Sequence, residues 1–289
     1  MRLLLAQLSP VPGDLPKNIE RLGAAVRAGP ADVAVFPELF LSGYRVGDRI
    51  HQLALREGDR AASALCAVAQ ASGTTVVVGA PVASRERSGE VHNAALAVTP
   101  AGELLTQVKR YLPMFGPFEE GVPFTPTDRS APVPIAGATV GLEVCYDVFF
   151  PEVSRQLALG GAELILAISA APMTSRRLFD RLLPARAIEN AVPVVYVNRV
   201  GVEDGIVFGG GSGGWDPRGE PIPAVPVPFS SAAAEESLSL IEVDTHEAMR
   251  WRPFRPVLRD IAGRPTEAGG TSPPRRSPSD PGSIPARAL

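Results

Sequence analysis

The sequence predicts an α/β fold, because short apolar runs typical of buried strands alternate along the chain with alanine-rich segments of helical periodicity. The chain has 289 residues, of which 45% are hydrophobic, so it is long enough to bury one large core or two smaller ones. Its formal net charge is −3, which gives no basic excess for binding nucleic acid. These observations indicate a globular protein of the α/β class.

The individual elements follow from these patterns in chain order. We predict strands at residues 2–8, 32–36, 74–80, 93–98, 103–108, 139–144, 164–169, 194–199 and 238–243. We predict helices at residues 18–27, 60–70, 153–159 and 178–189. Segment 205–228 is dense in glycine and proline and is expected to form loops and a hairpin. The patterns alone do not separate a doubly wound sheet from two packed sheets.

The chain is predicted to contain one domain, residues 1–262, because no linker-like segment interrupts the alternation. Residues 263–289 are rich in proline, arginine and serine, and they have almost no large apolar side chains. Such a segment cannot bury enough surface to offset the entropy of ordering, so we expect a disordered tail. The tail is also too short and too polar to form a second catalytic domain.

The apolar run at residues 1–8 is far shorter than the core of a secretory signal or a membrane span, and no other run approaches such a length. The two cysteines do not suggest a framework of disulfides. We therefore expect a cytoplasmic protein without membrane association, in which the cysteines stay reduced.

Cys145 lies between a predicted strand and a helix-like segment at 151–159. A thiol at such a turn is exposed at the carboxyl edge of a sheet, near backbone N–H groups that can stabilise negative charge. A buried structural cysteine is the ordinary alternative. The second cysteine, Cys66, lies in an alanine-rich helix and is expected to pack in the core.

Two charged residues also follow predicted strands. Glu38 follows the strand at 32–36, with Pro37 between them, and Lys109 follows the strand at 103–108. Either residue alone is most simply interpreted as a solvated charge. At strand ends, where open α/β sheets place their functional residues, Glu38, Lys109 and Cys145 form a plausible chemical set.

A thiol, a carboxylate and an ammonium group are together sufficient to hydrolyse a carbon–nitrogen bond. An ordinary thiol, with a pKa of about 8.5, is mostly protonated at neutral pH and needs a base during attack. The ammonium group and the N–H after the cysteine could stabilise a tetrahedral intermediate. His51, His92 and His246 have no metal-like spacing to other ligands, so we expect no metal and no cofactor.

These motifs resemble, in order, the signature segments of the nitrilase superfamily of carbon–nitrogen hydrolases. The matching segments are Phe36-Pro37-Glu38, Lys109-Arg110-Tyr111-Leu112-Pro113 and Cys145-Tyr146-Asp147. The resemblance extends from about residue 1 to about residue 260. It implies a four-layer α-β-β-α sandwich. It also implies a homodimer or higher homo-oligomer, because relatives commonly pair through the face near the cysteine-bearing segment.

The resemblance also implies catalytic roles. Cys145 would be the nucleophile that forms a thioester, and Glu38 would be the general base. Lys109 would stabilise the oxyanion, with the N–H of Tyr146 as a second donor.

A second glutamate is implied in the loop after the lysine. Glu119 and Glu120 are both candidates for this place. The spacing seen in the amidase domains of glutamine-dependent NAD synthetases favours Glu120.

The substrate pocket is expected to involve Tyr44, Phe115, Tyr146, Phe149 and Met173. Some relatives carry an arginine at the position of Phe149, which could pair with a substrate carboxylate. Its absence argues against carboxylate-bearing amides, although Arg176 and Arg177 could restore the pairing. The leading hypothesis is hydrolysis of a small primary carboxamide to an acid and ammonia. The alternatives are N-carbamoyl amide hydrolysis, nitrile hydrolysis and a catalytically silent binding subunit.

Three further polar residues are given structural interpretations. Arg186 and Asn190 are four residues apart on one helix, face the same side and are expected to brace the site. Asn93 is expected to cap or to pair locally.

Overall fold

The computed structural model of the protein describes residues 1–231, 233 and 235–262. These residues form two large β-sheets that pack face to face, with helices on both outer faces, and a separate two-stranded hairpin, Val202–Glu203 and Ile206–Val207. The strands are β1 (Arg2–Gln7), β2 (Val33–Val35), β3 (Thr75–Ala83), β4 (Val91–Val98), β5 (Leu104–Val108), β6 (Val133–Ile135), β7 (Ala138–Val144), β8 (Leu164–Ser169), β9 (Val194–Asn198), β10 (Val202–Glu203), β11 (Ile206–Val207), β12 (Gly213–Trp215), β13 (Ala224–Val227) and β14 (Ser237–Glu242). The α-helices are α1 (Leu15–Ala28), α2 (Ile50–Leu53), α3 (Arg60–Ser72), α4 (Pro151–Leu159), α5 (Arg176–Asn190), α6 (Glu247–Trp251) and α7 (Val257–Ala262).

The first sheet has seven strands in the order β13-β14-β1-β2-β3-β4-β5. Strands β1, β2 and β3 are parallel, and β4 and β5 each run antiparallel to the strand before them. Strand β5 therefore runs in the same direction as β2. The carboxyl ends of β2 and β5 consequently lie at the same edge of this sheet.

The second sheet has five strands in the order β12-β9-β8-β7-β6. Its central strands β7, β8 and β9 are parallel, and the short strands β6 and β12 pair antiparallel at the two edges. The carboxyl ends of the three parallel strands therefore also share one edge.

Successive side chains along each strand point to opposite faces of the sheet, so each strand contributes to two core layers. On β1, Leu3 and Leu5 point into the core between the sheets, whereas Leu4 and Ala6 pack with residues of α1 and α3. On the second sheet, α4 and α5 cover the outer face. Because each sheet buries both faces, the strands are apolar almost throughout. The predicted α/β class and the four-layer α-β-β-α sandwich are confirmed.

Element boundaries differ from the predictions where the pattern is weak. Helix α1 begins at Leu15 rather than at residue 18, because Asp14 accepts the N–H of Lys17 and a proline fits the first turn. Strand β3 continues to Ala83 because it stays paired with β4 as far as Val91. Strand β6 was not predicted, since three residues carry no readable period.

Three further predictions concern the C-terminal tail, membrane-spanning helices and metal sites. The predicted tail at residues 263–289 lies outside the described residues, so the domain boundary at residue 262 stays a prediction. Among the residues that the structure describes, none of the helices combines the length and the apolar character needed to cross a bilayer. In the same part of the chain, no cluster of three or more His, Cys, Asp or Glu side chains could hold a metal ion.

Candidate active site

Four chain segments meet at one edge of the sandwich. Glu38 and Lys109 follow β2 and β5 of the seven-stranded sheet, and Cys145 and Ala170 follow β7 and β8 of the five-stranded sheet. The backbone N–H of Ala170 donates to Oε2 of Glu38 at 2.8 Å, which joins the two sheets directly. The candidate site is therefore built across the interface between the sheets.

The chain around Glu38 is shaped by a close approach to Gly79 on β3. The N–H of Gly79 donates to the carbonyl of Pro37 at 3.0 Å. A Cβ at residue 79 would lie 2.3 Å from the nitrogen of Leu39 and 2.4 Å from Cα of Glu38, so only glycine fits. Leu39 then adopts a φ of +49°, in the left-handed region that non-glycine residues rarely occupy. A strained turn thus directs the carboxyl group of Glu38 into the site.

Cys145 occupies a second strained position. Its φ is +50°, and it opens a 3₁₀ turn, Cys145–Phe149, that leads into α4. The cysteine is partly exposed, whereas Val144 before it is fully buried. The turn after β7 therefore places the thiol at a strand-to-helix junction, as predicted.

Asp147 ties this turn to the segment that follows Lys109. Its buried carboxylate accepts the N–H of Arg110 at 3.1 Å, of Tyr111 at 2.9 Å and of Val144 at 3.3 Å. Burial raises the pKa of Asp147 to about 7, against the opposing effects of Lys109 and these N–H donors. No role for Asp147 was predicted, because two of its three N–H partners, Arg110 and Tyr111, lie 37 and 36 residues away in the sequence.

Lys109 lies between two glutamates. Its Nζ donates to Oε1 of Glu38 at 2.6 Å and to Oε1 of Glu120 at 2.8 Å. The lysine and Glu38 side chains are fully buried, and Glu120 is 3% exposed. Glu119 is exposed. The structure thus brings Glu120, rather than Glu119, against the lysine.

Two neutral donors complete this cluster. The amide Nδ2 of Asn93 donates to Oε1 of Glu38 at 2.8 Å and to Oε2 of Glu120 at 3.3 Å. The hydroxyl of Tyr44 donates to Oε1 of Glu120. The expectation that Asn93 caps or pairs locally is wrong, because its partners are 55 and 27 residues away. An amide on the mainly apolar strand β4 was the available signal, since a buried amide needs a polar partner.

The electrostatics assign a charge state to several of these groups. Burial, together with the charge of Glu38, raises the pKa of the Cys145 thiol, so the thiol is protonated at neutral pH. Burial alone would lower the pKa of Lys109, but Glu120 and Glu38 hold it above its ordinary value, and the lysine stays charged. Burial also raises the pKa of Tyr44, which keeps its hydroxyl a donor. A nucleophilic thiol here would need a base at the moment of attack.

A cavity of about 90 Å³ opens in front of Cys145. Among the predicted substrate-binding residues, Tyr44, Phe115, Tyr146 and Phe149 line it. Met173 does not line it: its side chain is 51% exposed, because it begins a short 3₁₀ turn on the outer surface. A larger cavity of about 380 Å³ touches Tyr44 and Glu120 but does not include Cys145.

Helix α5 supports the turn that carries the thiol. Nε of Arg186 donates to the carbonyl of Val148 at 2.9 Å, and its Nη2 donates to the carbonyl of Phe149 at 3.3 Å. Nη1 of Arg186 pairs with Glu189 at 2.9 Å. Asn190 donates to the carbonyl of Arg186 at 2.9 Å. These contacts agree with the expected bracing role of this helix.

A four-layer α-β-β-α sandwich that gathers a cysteine, a lysine and a glutamate at strand ends, with a second glutamate from the loop after β5, is the arrangement expected of a hydrolase of carbon–nitrogen bonds. The family model of carbon-nitrogen hydrolases matches residues 2–252. The chain belongs to this family and is an enzyme that hydrolyses carbon–nitrogen bonds.

Similar proteins include several amidases. An (R)-stereoselective amidase of a Pseudomonas species is 34% identical over 275 residues, which cover 92% of this chain and 95% of that protein. A structure of an amidase from Nesterenkonia sp., with acrylamide added to the active-site cysteine, has a TM-score of 0.72 and 29% identity. The matched region covers 90% of this chain and 99% of the Nesterenkonia amidase chain. The glutamine-dependent NAD(+) synthetase of Rhodobacter capsulatus is 30% identical over 91% of this chain, which spans only 46% of that protein.

Proposed function

We propose that the enzyme hydrolyses a small primary carboxamide to a carboxylic acid and ammonia through a thioester on Cys145. The observation that supports this proposal is the position of Nζ of Lys109. It lies 2.6 Å from Glu38 and 2.8 Å from Glu120, at the edge where Cys145 also lies. A fixed positive charge beside a thiol and a carboxylate suits acyl transfer better than simple binding.

The first half-reaction forms the thioester. Glu38 takes the proton from Sγ of Cys145 while the sulfur attacks the carbonyl carbon, and a C–S bond forms. The carbonyl oxygen becomes an oxyanion, which the ammonium group of Lys109 and the N–H of Tyr146 stabilise. When the carbonyl re-forms, the C–N bond breaks. Glu38 returns its proton to the nitrogen, and ammonia leaves.

The second half-reaction releases the acid. Glu38 takes a proton from water while the water oxygen attacks the thioester carbon. The C–S bond breaks, the sulfur regains a proton from Glu38, and the carboxylic acid departs. One water is consumed and one ammonia is released for each amide, so the enzyme returns to its starting state.

Glu120 has a separate role in this scheme. It accepts hydrogen bonds from Lys109, Tyr44 and Asn93, which fix its carboxylate beside the lysine. We assign it to keeping Lys109 charged and to orienting the nitrogen of the substrate. The proposed catalytic set is thus Glu38, Lys109, Cys145 and Glu120.

A panel of substrates tests the type of bond that is cleaved. Primary amides, N-carbamoyl amino acids and nitriles are each incubated with the enzyme, and ammonia and carbon dioxide are measured. We expect the enzyme to release ammonia without carbon dioxide, and to release it faster from amides than from nitriles. Equimolar carbon dioxide from the carbamoyl compounds, with no amide turnover, would replace the proposal by N-carbamoyl hydrolysis. Ammonia from nitriles alone would indicate a nitrilase.

We also propose that the enzyme is a homo-oligomer that pairs through the helical layer over the five-stranded sheet. Exposed apolar side chains on this layer include Leu159, Ile188 and Phe254. Light scattering coupled to gel filtration measures the mass in solution, and the mass of a single chain would contradict the proposal.

We also propose a cellular location. Because the reaction needs a free thiol, we place the enzyme in the reducing cytoplasm, which cell fractionation tests.

A further inference from the structure

The cavity in front of Cys145 has apolar walls. Six large side chains form most of them: Phe115, Phe118, Tyr146, Phe149, Leu178 and Phe179. The rings make a continuous surface. The ring centre of Tyr146 lies 5.2 Å from that of Phe115 and 5.4 Å from that of Phe149. The ring centres of Phe149 and Phe179 are 5.3 Å apart. Such a surface favours an acyl group without polar atoms.

Among the described residues, no cationic side chain lines this cavity, and the nearby Lys109 is already paired with Glu38 and Glu120. Nη1 of Arg176 donates to the carbonyl of Gly209 at 2.8 Å, and its Nε lies 3.5 Å from Asp180. Arg177 is exposed and does not contribute to the walls. Among the wall residues, Glu120 is acidic, and its carboxylate would repel a carboxylate on the substrate. A substrate carboxylate would therefore lose its hydration without gaining a partner.

We propose that the enzyme selects amides whose acyl group is small, uncharged and apolar, and that the ring of Phe149 enforces this choice. The inference rests on the proposed function, since it assumes that the acyl group of an amide occupies this cavity. It goes further by naming the class of acyl group and the side chain that selects it.

Two amides of equal size test the selection. In 3-methylbutanamide and malonamate, an isopropyl group and a carboxylate occupy the same place, close to the reacting carbonyl. We expect kcat/KM for 3-methylbutanamide to exceed that for malonamate by about 100-fold or more. In Phe149→Arg, which adds a cation to the wall, this ratio should fall by about ten-fold or more. The uncharged control Phe149→Met should keep the wild-type ratio.

Comparing the ratio between variants cancels any difference in intrinsic reactivity between the two amides. Equal kcat/KM values for the two amides in the native enzyme would overturn the proposal, whether or not Phe149→Arg folds. An equal change in the ratio in Phe149→Met would also overturn the role of Phe149. If neither amide reacts while carbamoyl compounds or nitriles release ammonia, the proposed function itself fails.

A separate observation concerns a buried glutamate on the hairpin β10–β11. Oε1 of Glu203 accepts the N–H of Tyr44 at 2.8 Å and the N–H of Arg45 at 2.6 Å. Its Oε2 pairs with Nη1 of Arg199, whose guanidinium group lies 3.9 Å from the ring centre of Phe208. Glu203 is 6% exposed and Arg199 is 1% exposed.

The chain before Tyr44 is shaped to admit this carboxylate. Gly43 has a φ of +81°. A Cβ there would lie 3.2 Å from Oε1 of Glu203 and 2.8 Å from Cα of Pro12, so a larger residue would disturb the contact. The backbone of Tyr44 is therefore held from one side by Glu203, and its hydroxyl reaches Glu120 on the other.

We infer that Glu203 is a positioning residue, which fixes Tyr44 so that its hydroxyl meets Glu120. In the described part of the chain, the carboxylate of Glu203 accepts hydrogen bonds from Tyr44, Arg45 and Arg199. Of these three donors, Tyr44 contacts Glu120, so Glu203 acts through Tyr44. A purely structural ion pair would affect folding without a specific link to the Tyr44 hydroxyl.

A double-mutant cycle in kcat tests this link. Glu203→Gln and Tyr44→Phe should each lower kcat by about ten-fold and change KM by less than about two-fold. The double variant should have the same kcat as Tyr44→Phe alone. The control Glu236→Gln alters a partly buried ion pair, with Arg21 at 2.6 Å, and should leave kcat unchanged.

Penalties that multiply in the double variant would overturn the inference, as would an unchanged kcat in either single variant. The melting temperature of each variant is measured alongside, so that a loss of folded enzyme is not counted as a loss of kcat. If Glu203→Gln does not fold, the same cycle is measured with Glu203→Asp, which keeps the charge but shortens the reach of the carboxylate.

Discussion

At the residue scale, the candidate site depends on one lysine that forms ion pairs with two carboxylates away from water. Lys109 and Glu38 are fully buried and Glu120 nearly so. An isolated charge at such a depth would be very costly, so the three groups stabilise one another only as a set. The same arrangement supplies the positive charge that the proposed oxyanion needs.

Substitution of this lysine should therefore affect stability as well as catalysis. We expect Lys109→Met to lower the free energy of unfolding by about 3–5 kcal/mol, because two buried carboxylates lose their partner. Urea denaturation measures the loss. The control Lys17→Met breaks an exposed pair with Glu20, and its free energy should stay within about 0.5 kcal/mol of the native value. A loss below about 1 kcal/mol in Lys109→Met would contradict the interpretation.

A second buried carboxyl group, Glu143, predicts a pH dependence of stability. It is 1% exposed and accepts the hydroxyl of Ser154 at 2.5 Å. Burial raises its pKa from 4.5 to about 7. Between these two pH values the unfolded chain has released this proton and the folded protein has not. Rising pH should therefore destabilise the folded state by up to about 3 kcal/mol through this group.

Glu143→Gln removes this term. The melting temperature of the variant relative to the native protein should rise between pH 5 and pH 8, because only the native protein pays the cost of ionisation. Thermal unfolding at the two pH values measures the difference, and contributions that are the same in both proteins cancel. A difference that is independent of pH would show that Glu143 does not titrate in this range.

At the scale of the elements, the site requires strand ends that approach each other more closely than regular packing permits. Strand β3 passes so near the turn after β2 that residue 79 must be glycine. The turns at Leu39 and Cys145 both adopt positive φ angles. These local strains are compensated by the surrounding sheets, and they place the carboxyl group and the thiol at the same edge.

Gly79→Ala tests the importance of this close approach. The added methyl group would overlap the backbone of Glu38 and Leu39, so we expect a fall in both the melting temperature and kcat. The control Gly213→Ala would meet its nearest atom only at 3.9 Å and should leave both nearly unchanged. Native values of both quantities in Gly79→Ala would contradict a constrained turn at Glu38.

Much of this arrangement could be predicted from the sequence, and the missing part has a physical reason. The positions of Glu38, Lys109 and Cys145 at strand ends follow from local patterns, because each comes at or just after the end of a predicted strand. Asn93 was misassigned, because its position in the segment shows that it needs a polar partner but does not show which residues, 55 and 27 positions away, supply one. Met173 was misplaced because the sequence does not show which side of a loop turns outward.

At the scale of the whole molecule, the two sheets contribute complementary groups. The seven-stranded sheet supplies Glu38 and Lys109, and the five-stranded sheet supplies Cys145 and the N–H of Ala170. The site therefore exists only while the core between the sheets is intact. Activity and global folding should be lost together.

A substitution in this core should weaken the whole molecule. Leu166 lies fully buried between the sheets, and Leu166→Ala should cost about 2–5 kcal/mol of unfolding free energy. Activity and circular dichroism should decline together in urea. The control Val225→Ala, at a side chain that is 64% exposed, should change stability by less than about 0.5 kcal/mol. Loss of activity well before the loss of structure would contradict a site shared by both sheets.

The most direct test of the proposed mechanism is ammonia release by Cys145→Ala, measured beside the native enzyme with the preferred amide from the substrate panel. The variant should keep the native circular dichroism spectrum and melting profile but show no turnover above background, because no other residue in the scheme can form the thioester. Ammonia release at the native rate from folded Cys145→Ala would contradict the mechanism and would mean that this thiol is not the nucleophile.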